Sequence, residues 1–206
     1  LKKYLILIFT VLLYSCQTEG SKEKTVTSLV NEVQEQPTVA KPSEEFESYL
    51  KLFPKTQLPI IIKGCYIERK GLKEFDGNEF KSYEDQYSLS YKSIPTNGDY
   101  TAIISLGAAD CYLPILTTFK PNGEKIDSKT IAIGYCGSDC GYTCEEFMTI
   151  RKDFSVYVSD TITSAECDTL SNIIPGTTEK YVIYKTGKLL QDGRIELTEE
   201  IKKILK

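Results

Sequence analysis

The sequence predicts a mainly β protein, an antiparallel meander forming a small barrel, a sandwich or a curved sheet, with a short N-terminal helix and a short C-terminal helix. Three observations lead there. β-Branched and aromatic runs recur at roughly ten-residue spacing, punctuated by Gly, Pro, Asn and Asp. No strand–helix–strand rhythm is visible, so a parallel sheet is not expected. Helical periodicity is confined to the two ends of the region that carries this pattern. Of 206 residues, 41% are apolar and 26% charged, which excludes a collagen, a coiled coil or a wholly disordered chain.

Order is expected from Ser43. Ser43 suits a helix N-cap, and Glu44 and Glu45 fall in the first turn, where the helix dipole favours acids. Phe46, Tyr49, Leu50 and Phe53 share one helical face, Pro54 ends it, and the helix is expected to plug one end of the core. Strands follow at Leu58–Cys65, Tyr87–Ile94 and Tyr100–Leu106, with a turn at Thr96–Asp99. Leu72–Glu84 is ambiguous, with two short turns around Asp76-Gly77. Tyr112–Phe119, Pro121-Asn122-Gly123 and Ile126–Tyr135 form a hairpin pattern, and Phe147–Arg151 with Phe154–Ser159 forms another around Lys152-Asp153. Tyr181–Lys185 and Leu189-Leu190 flank a turn expected at Thr186-Gly187. Asp192-Gly193 then turns into Arg194–Leu197. Thr198-Glu199-Glu200-Ile201 looks like a helix start, with Ile201, Ile204 and Leu205 to bury.

The beginning of the chain has a different character. Lys2 and Lys3 precede an apolar run from Tyr4 to Tyr14. That run is well short of the ~20 residues a spanning helix needs, and it reads as a secretory signal over residues 1–15. Leu13-Tyr14-Ser15-Cys16 resembles a bacterial lipobox. The resemblance implies cleavage before Cys16, a diacylglycerol on its thiol and an acyl chain on its new amine. The partner of this end is then a membrane, reached through N-terminal acyl chains. Gln17 stands where Asp would mark retention at the inner membrane, which by the same resemblance favours the outer membrane. Residues 16–42 are rich in Glu, Lys, Thr and Gln and lack aromatics, the composition of a flexible tether. Residues 43–206 are the expected domain.

Seven Cys are present. With Cys16 lipidated, Cys65, Cys111, Cys136, Cys140, Cys144 and Cys167 remain. An even count in an oxidising compartment predicts up to three disulfides, in any of 15 pairings. The cluster Cys136-x3-Cys140-x3-Cys144 is interleaved with Gly134, Gly137 and Gly141, which favours a compact loop over a helix. That loop is expected to be stapled to distant strands through Cys65, Cys111 or Cys167. Zinc held by four thiolates and redox chemistry are the alternatives for these thiols. A stapled, Gly-rich loop is a good recognition platform, with Asp139, Tyr142 and Glu145 as its exposed groups.

Function is read mostly by exclusion. There is no His, which removes Ser-His-Asp and Cys-His catalysis and His metal ligands. A P-loop and a dinucleotide fingerprint are both missing from the sequence. The formal charge of −4 argues against a nucleic-acid binder. Asp76-Gly77-Asn78-Glu79 lacks the alternation of a calcium loop and reads as a turn. Glu145-Glu146 and Asp139 could act as paired carboxylates in glycoside hydrolysis, but acid pairs of this kind are common on any acidic surface and carry almost no signal. Of the fourteen Tyr, Tyr112, Tyr135, Tyr142, Tyr157, Tyr181 and Tyr184 lie on or beside expected strands and read as half-buried sheet residues. No cofactor and no metal are expected.

The lipobox, the polar tether and the lead Phe46…Phe53-Pro54…Leu58-Pro59, followed by YTAIISLGAADCYLPILTTFKPNGEKID and GYCGSDCGYTCEEFMTI, resemble small uncharacterised lipoproteins of Bacteroidetes-type bacteria. The resemblance implies an envelope location and a β-rich fold, and carries over no catalytic residue. The expected function is a non-enzymatic binding or structural module on the cell envelope, its partner an envelope protein or a glycan. The alternatives are an inhibitor of an exported hydrolase and, further off, a Cys- or carboxylate-based enzyme.

Overall fold

The computed structural model describes residues 42–84 and 86–205. Two antiparallel sheets account for most of them. The first element is helix α1 (Glu44–Leu50). Ser43 caps it, its Oγ accepting from the Phe46 N–H at 3.1 Å, and three acids occupy the first turn. Strand β1 (Ile60–Lys63) comes next. The chain then builds one whole sheet in sequence order: β2 (Glu74–Asp76), β3 (Tyr87–Ile94), β4 (Thr101–Gly107), β5 (Leu113–Phe119) and β6 (Lys125–Thr130). It returns to β1 with β7 (Tyr142–Ile150). From there it adds β8 (Ser155–Ser164), β9 (Glu179–Leu189), β10 (Ile195–Leu197) and β11 (Ile201–Ile204). One sheet is thus a meander inserted between the first and second strands of the other.

Alternating apolar residues make the two sheets face each other. Leu89, Ile94, Ala102, Ile104, Leu106 and Leu116 of the first sheet meet Ile60, Ile62, Met148, Ile150, Val156, Val158, Leu189 and Ile195 of the second. The sheets do not close into a barrel, so the sandwich is the architecture realised. One side is laced across. The Thr118 hydroxyl donates to the Gly193 carbonyl at 2.7 Å, and the Ile195 N–H donates to Asp127 Oδ2 at 2.8 Å. Helix α1 does not plug an end of this core. It lies on the outer face of the β2–β6 sheet, where Phe46, Tyr49 and Phe53 form a second cluster with Phe75, Ile103 and Phe119. Its rings meet edge-on, tilted and stacked, with Phe46 and Phe119 centred 5.3 Å apart.

Most predicted strands are present, and both hairpins turn where expected. Three further expectations are corrected. The C-terminal helix is absent; Ile201–Ile204 is strand β11, paired with Tyr181–Tyr184 of β9. A one-turn helix gains few hydrogen bonds for its nucleation cost, whereas the open edge of β9 offers partners at once. No turn occurs at Thr186-Gly187, because β9 runs straight through. Gly187 serves close approach instead: a Cβ there would collide with the Glu196 carbonyl oxygen of β10. The strand expected to reach Tyr135 ends at Thr130, where residues 131–141 leave the sheet.

The two kinds of burial predict different costs. Phe119→Ala should lower unfolding stability by about 3–5 kcal/mol, because Phe119 is wholly buried beneath α1. Ile201→Ala, on the exposed strand β11, should cost less than about 1 kcal/mol. Urea unfolding with disulfides intact measures both.

Candidate functional site

The interior of the sandwich turns polar at one end. Along β7 and β8 the inward positions include Met148, Ile150, Val156, Val158 and Ile162, and two further inward positions are acids. Glu146 and Asp160 face one another across the ladder. They are 8% and 1% exposed. The Asp160 carboxylate has partners: its Oδ2 accepts from the Tyr135 N–H at 2.8 Å, and the Gly134 and Cys136 amides also support it. Burial still outweighs these donors and pushes it up from its ordinary value. Glu146 is less well provided for. Its Oε1 is buried with no hydrogen-bond partner among the described residues. Burial first, and the Asp160 charge second, push its carboxyl up to about 7.

A disulfide lies against each acid. Cys65–Cys111 joins the end of β1 to the loop after β4, with Cα atoms 4.6 Å apart. Its two sulfurs and a Glu146 carboxylate oxygen lie within 4.8 Å of one another. Cys136–Cys144 closes the loop before β7, and its sulfurs stand in the same relation to Asp160. These are sets of metal-ligand type, yet sulfurs bonded to each other are not thiolate donors. A cavity of about 130 Å³ borders Asp110, Cys111, Gly134, Cys136 and Glu146. Deeper in, beside both acids, the space shrinks to about 10 Å³, too little for a sugar ring.

The third disulfide, Cys140–Cys167, ties loop 134–144 to loop 165–178. The Cys cluster is therefore partly closed on itself. Only Cys140 reaches a distant segment, while Cys65 and Cys111 pair together. Loop 134–144 enters strand β7 at Tyr142, so Cys144 lies in the strand and the three cysteines do not share a helix face. Gly141 makes the junction. Its φ of 64° is left-handed, and its carbonyl accepts from the Ala165 N–H, with no room for a Cβ against the Ala165 carbonyl.

Loop 165–178 is rigid without burying much. Asp168 Oδ1 accepts from the Leu170 and Asn172 amides at 2.9 Å, and these donors, Asn172 foremost, hold its carboxyl below the usual range. The Glu166 N–H donates to Thr177 Oγ1, and the Ile174 N–H returns to the Glu166 carbonyl. This frame holds Leu170 (80% exposed), Ile173 (55%) and Ile174 in solvent. Exposed Tyr135 belongs to the adjoining loop, and its hydroxyl donates to Glu200 Oε2 at 2.8 Å, while Glu200 pairs with Lys185.

Of the sequence-predicted recognition residues, Asp139 is exposed, but its carboxylate caps the Cys140 N–H. Tyr142 is half-buried, its hydroxyl donating to the Tyr135 carbonyl, so it braces the loop. Glu145 points out of the opposite sheet face and pairs with Lys63 at 3.2 Å. It does not join Glu146, and the acid pair that does form, Glu146 with Asp160, was not expected. Its signal was present in the sequence: Asp160 interrupts the alternation Val156, Val158, Ile162. The exposed apolar residues of loop 165–178 were missed because an apolar residue is expected to be buried. Cys16, the signal segment 1–15 and the tether up to residue 41 lie outside the described residues.

Two further features complete the surface. An open groove of about 680 Å³ runs between α1 and the β3–β4 rim, past Leu50, Phe53, Ile94 and Tyr100. Under α1, buried Glu84 accepts from the Tyr49 hydroxyl at 3.2 Å, and burial raises its carboxyl above the ordinary value. Compared with protein-family models, curated proteins and solved structures, the chain matches none. The three disulfides belong to an oxidising, non-cytoplasmic compartment. Among the described residues, no helix is long and apolar enough to cross a membrane.

The buried acids predict an unusual pH response. Glu146, Asp160 and Glu84 are all raised on folding. The folded state therefore binds more protons than the unfolded state between the ordinary carboxylate range and about pH 7, and stability should fall as pH rises through that window. From pH 5 to 7.5 the loss from Glu146 is on the order of 2 kcal/mol. Glu146→Gln should flatten much of the slope in denaturant titrations. Separately, Asp168→Ala should speed amide hydrogen exchange across residues 166–176 while changing global stability by less than about 1 kcal/mol.

Proposed function

We propose that this protein is a non-enzymatic binding module of the cell envelope, held at the outer membrane by acyl chains on Cys16. Its recognition surface is the clamped pair of loops 134–144 and 165–178. One observation carries this reading: large apolar side chains, Leu170 above all, are held in solvent on a loop fixed by a disulfide and its own hydrogen bonds. Exposed apolar surface is costly unless a partner covers it, and a loop already rigid loses little entropy on binding. The chemistry of the partner follows from the loops. They contain Asp139, Glu166 and Asp168 and no Lys or Arg. The complementary surface is a protein with an apolar depression rimmed by basic groups.

The hydrolase-inhibitor reading is a special case, in which the depression is an enzyme cleft entered by loop 165–178. The projecting Leu170 favours it over a flat contact. The small cavity beside Glu146 and Asp160 disfavours glycosidase chemistry there.

Two experiments test the proposal. Metabolic labelling with a fatty acid, followed by mass spectrometry, should find lipid on Cys16, and Cys16→Ser should release the protein from the membrane fraction. Photo-crosslinking from position 170 in intact cells should trap a defined envelope protein. Leu170→Asp with Ile173→Asp should weaken that complex at least about tenfold, while the melting temperature stays unchanged. Crosslinking unaffected by these substitutions, or a lysozyme panel inhibited equally by the double variant, would remove the loop pair from the proposal.

A further inference from the structure

We propose that Cys65–Cys111 is a second, chemically active site, a disulfide that accepts electrons from dithiols, with Cys65 as the attacked sulfur and Glu146 as the proton donor to Cys111. This site adds a redox activity to a module whose recognition surface performs no chemistry, and the inference stands apart from that surface and survives its failure.

The two sulfurs are placed unequally. Cys65 is exposed and Cys111 is 5% exposed. An incoming thiolate must approach along the S–S axis from beyond the sulfur that it attacks, and of the two cysteines only Cys65 is exposed. The neighbouring Tyr66 is 88% exposed, and a Cβ placed on Gly64 would meet no atom within 4 Å. Cys111 is then the leaving group. A thiolate expelled into a buried site is a poor leaving group, because burial raises its pKa, and it needs a proton as the bond breaks.

Glu146 is placed to supply it. The β1–β7 pairing sets Gly64 beside Glu146, with the Gly64 N–H donating to the Glu146 carbonyl at 2.8 Å. This brings a carboxylate oxygen within 4.8 Å of both sulfurs. The cavity of about 130 Å³ borders Cys111 and Glu146 together and has room for a bridging water. Glu146 Oε1 is buried and without a donor. A Cys111 thiol would be the donor that the oxidised site lacks, and the Cys136 carbonyl, 3.7 Å from Cys111 Sγ, is a second acceptor. With its carboxyl pushed up to about 7, Glu146 holds a proton over a useful range. The groups facing it are Asp160 from β8 and Asp110 from the loop after β4. Ile62 of β1 and Leu113 and Pro114 of β5 add no charge, and Lys63 points to the outer face with Glu145.

The exchange balances. A substrate thiol loses its proton to water, and its sulfur bonds to Cys65. The Cys65–Cys111 bond breaks, and Cys111 takes its electron pair and the Glu146 proton. The second substrate thiol, deprotonated by water, attacks the first substrate sulfur and expels Cys65, which is protonated from solvent. Solvent then reprotonates Glu146. The substrate dithiol leaves as a disulfide, oxidised by two electrons, and the Cys65–Cys111 pair is left as two thiols. A disulfide acceptor reverses the steps and restores the site.

The test treats the full-length protein in detergent with dithiothreitol, quenches with an alkylating agent and maps the labelled cysteines by mass spectrometry. Cys65–Cys111 should open first, before Cys140–Cys167, whose sulfurs are also partly accessible, and glutathione disulfide should re-form it without loss of the folded spectrum. The opening rate per dithiothreitol thiolate should fall about tenfold from pH 6 to pH 8.5, and Glu146→Gln should start about tenfold lower at pH 6 and stay flat. Glutamine fits the site and relieves a buried acid, so the variant should fold, which circular dichroism checks. Opening of Cys65–Cys111 no earlier than the other bridges, failure of glutathione disulfide to restore it, or a Glu146→Gln profile that overlays the wild type would overturn the proposal.

Discussion

The pairing of β1 with β7 makes one molecule out of two sheets. Ile60 lies opposite Ile150 and Lys63 opposite Phe147, and between those residues the chain builds the entire β2–β6 sheet. This ladder brackets the meander and adds to the side-chain packing and the Thr118 and Asp127 hydrogen bonds that hold the sheets face to face. With it, Ile60 and Ile62 join Met148 and Ile150 in the shared core. The cost is the closure of a long loop, which rises only slowly with length but delays formation of the contact. Cys65–Cys111 closes part of that loop by tying the end of β1 to the far end of β4. A bridge there constrains the unfolded chain where the fold depends on a distant contact.

The same ladder creates the polar end of the core. Extending β1 past Lys63 brings Gly64 and Cys65 alongside Glu146, and the next strand places Asp160 opposite. Hydrophobic alternation would fill both positions with apolar side chains. The sequence instead places two carboxyls where water is scarce, one with backbone donors and one with none. Such departures from an otherwise consistent pattern are where stability is given up for chemistry. Asp160 has a structural task, since it gathers the amides of residues 134–136 and so positions the loop that carries Tyr135 and Cys136. Glu146 has no comparable partner, and its neighbour is a disulfide with one exposed cysteine.

The surface follows a different logic. Loops 134–144 and 165–178 have little core beneath them and are ordered by covalent bridges and side-chain-to-backbone hydrogen bonds. That frees their apolar residues from packing, so Leu170 and Ile173 face solvent. Helix α1 takes the opposite course, with Phe46, Tyr49 and Phe53 all spent on covering the second face of the β2–β6 sheet. A sheet covered on both faces explains why β4 is buried almost throughout.

The sequence alone determined what local chemistry controls. Ser43 with its following acids specified α1, and Pro121-Asn122-Gly123 and Lys152-Asp153 specified two hairpins, because capping and turn geometry depend on adjacent residues. The parity of the cysteines outside Cys16 matched three bridges. Tertiary structure decided the rest. Disulfide pairing depends on which distant Cα atoms come within reach, and fifteen pairings were open. The last residues have helical periodicity, yet they became β11 because the edge of β9 was vacant beside them. Gly187 looked like a turn and proved to be a crossing point. Glu146 looked like the twin of Glu145, but successive strand residues point to opposite faces. One pairs with Lys63 in water, and the other is buried against a disulfide and Asp160. Only the folded sheet brings those groups to one place, since their proximity is fixed by strand register and not by any spacing along the chain.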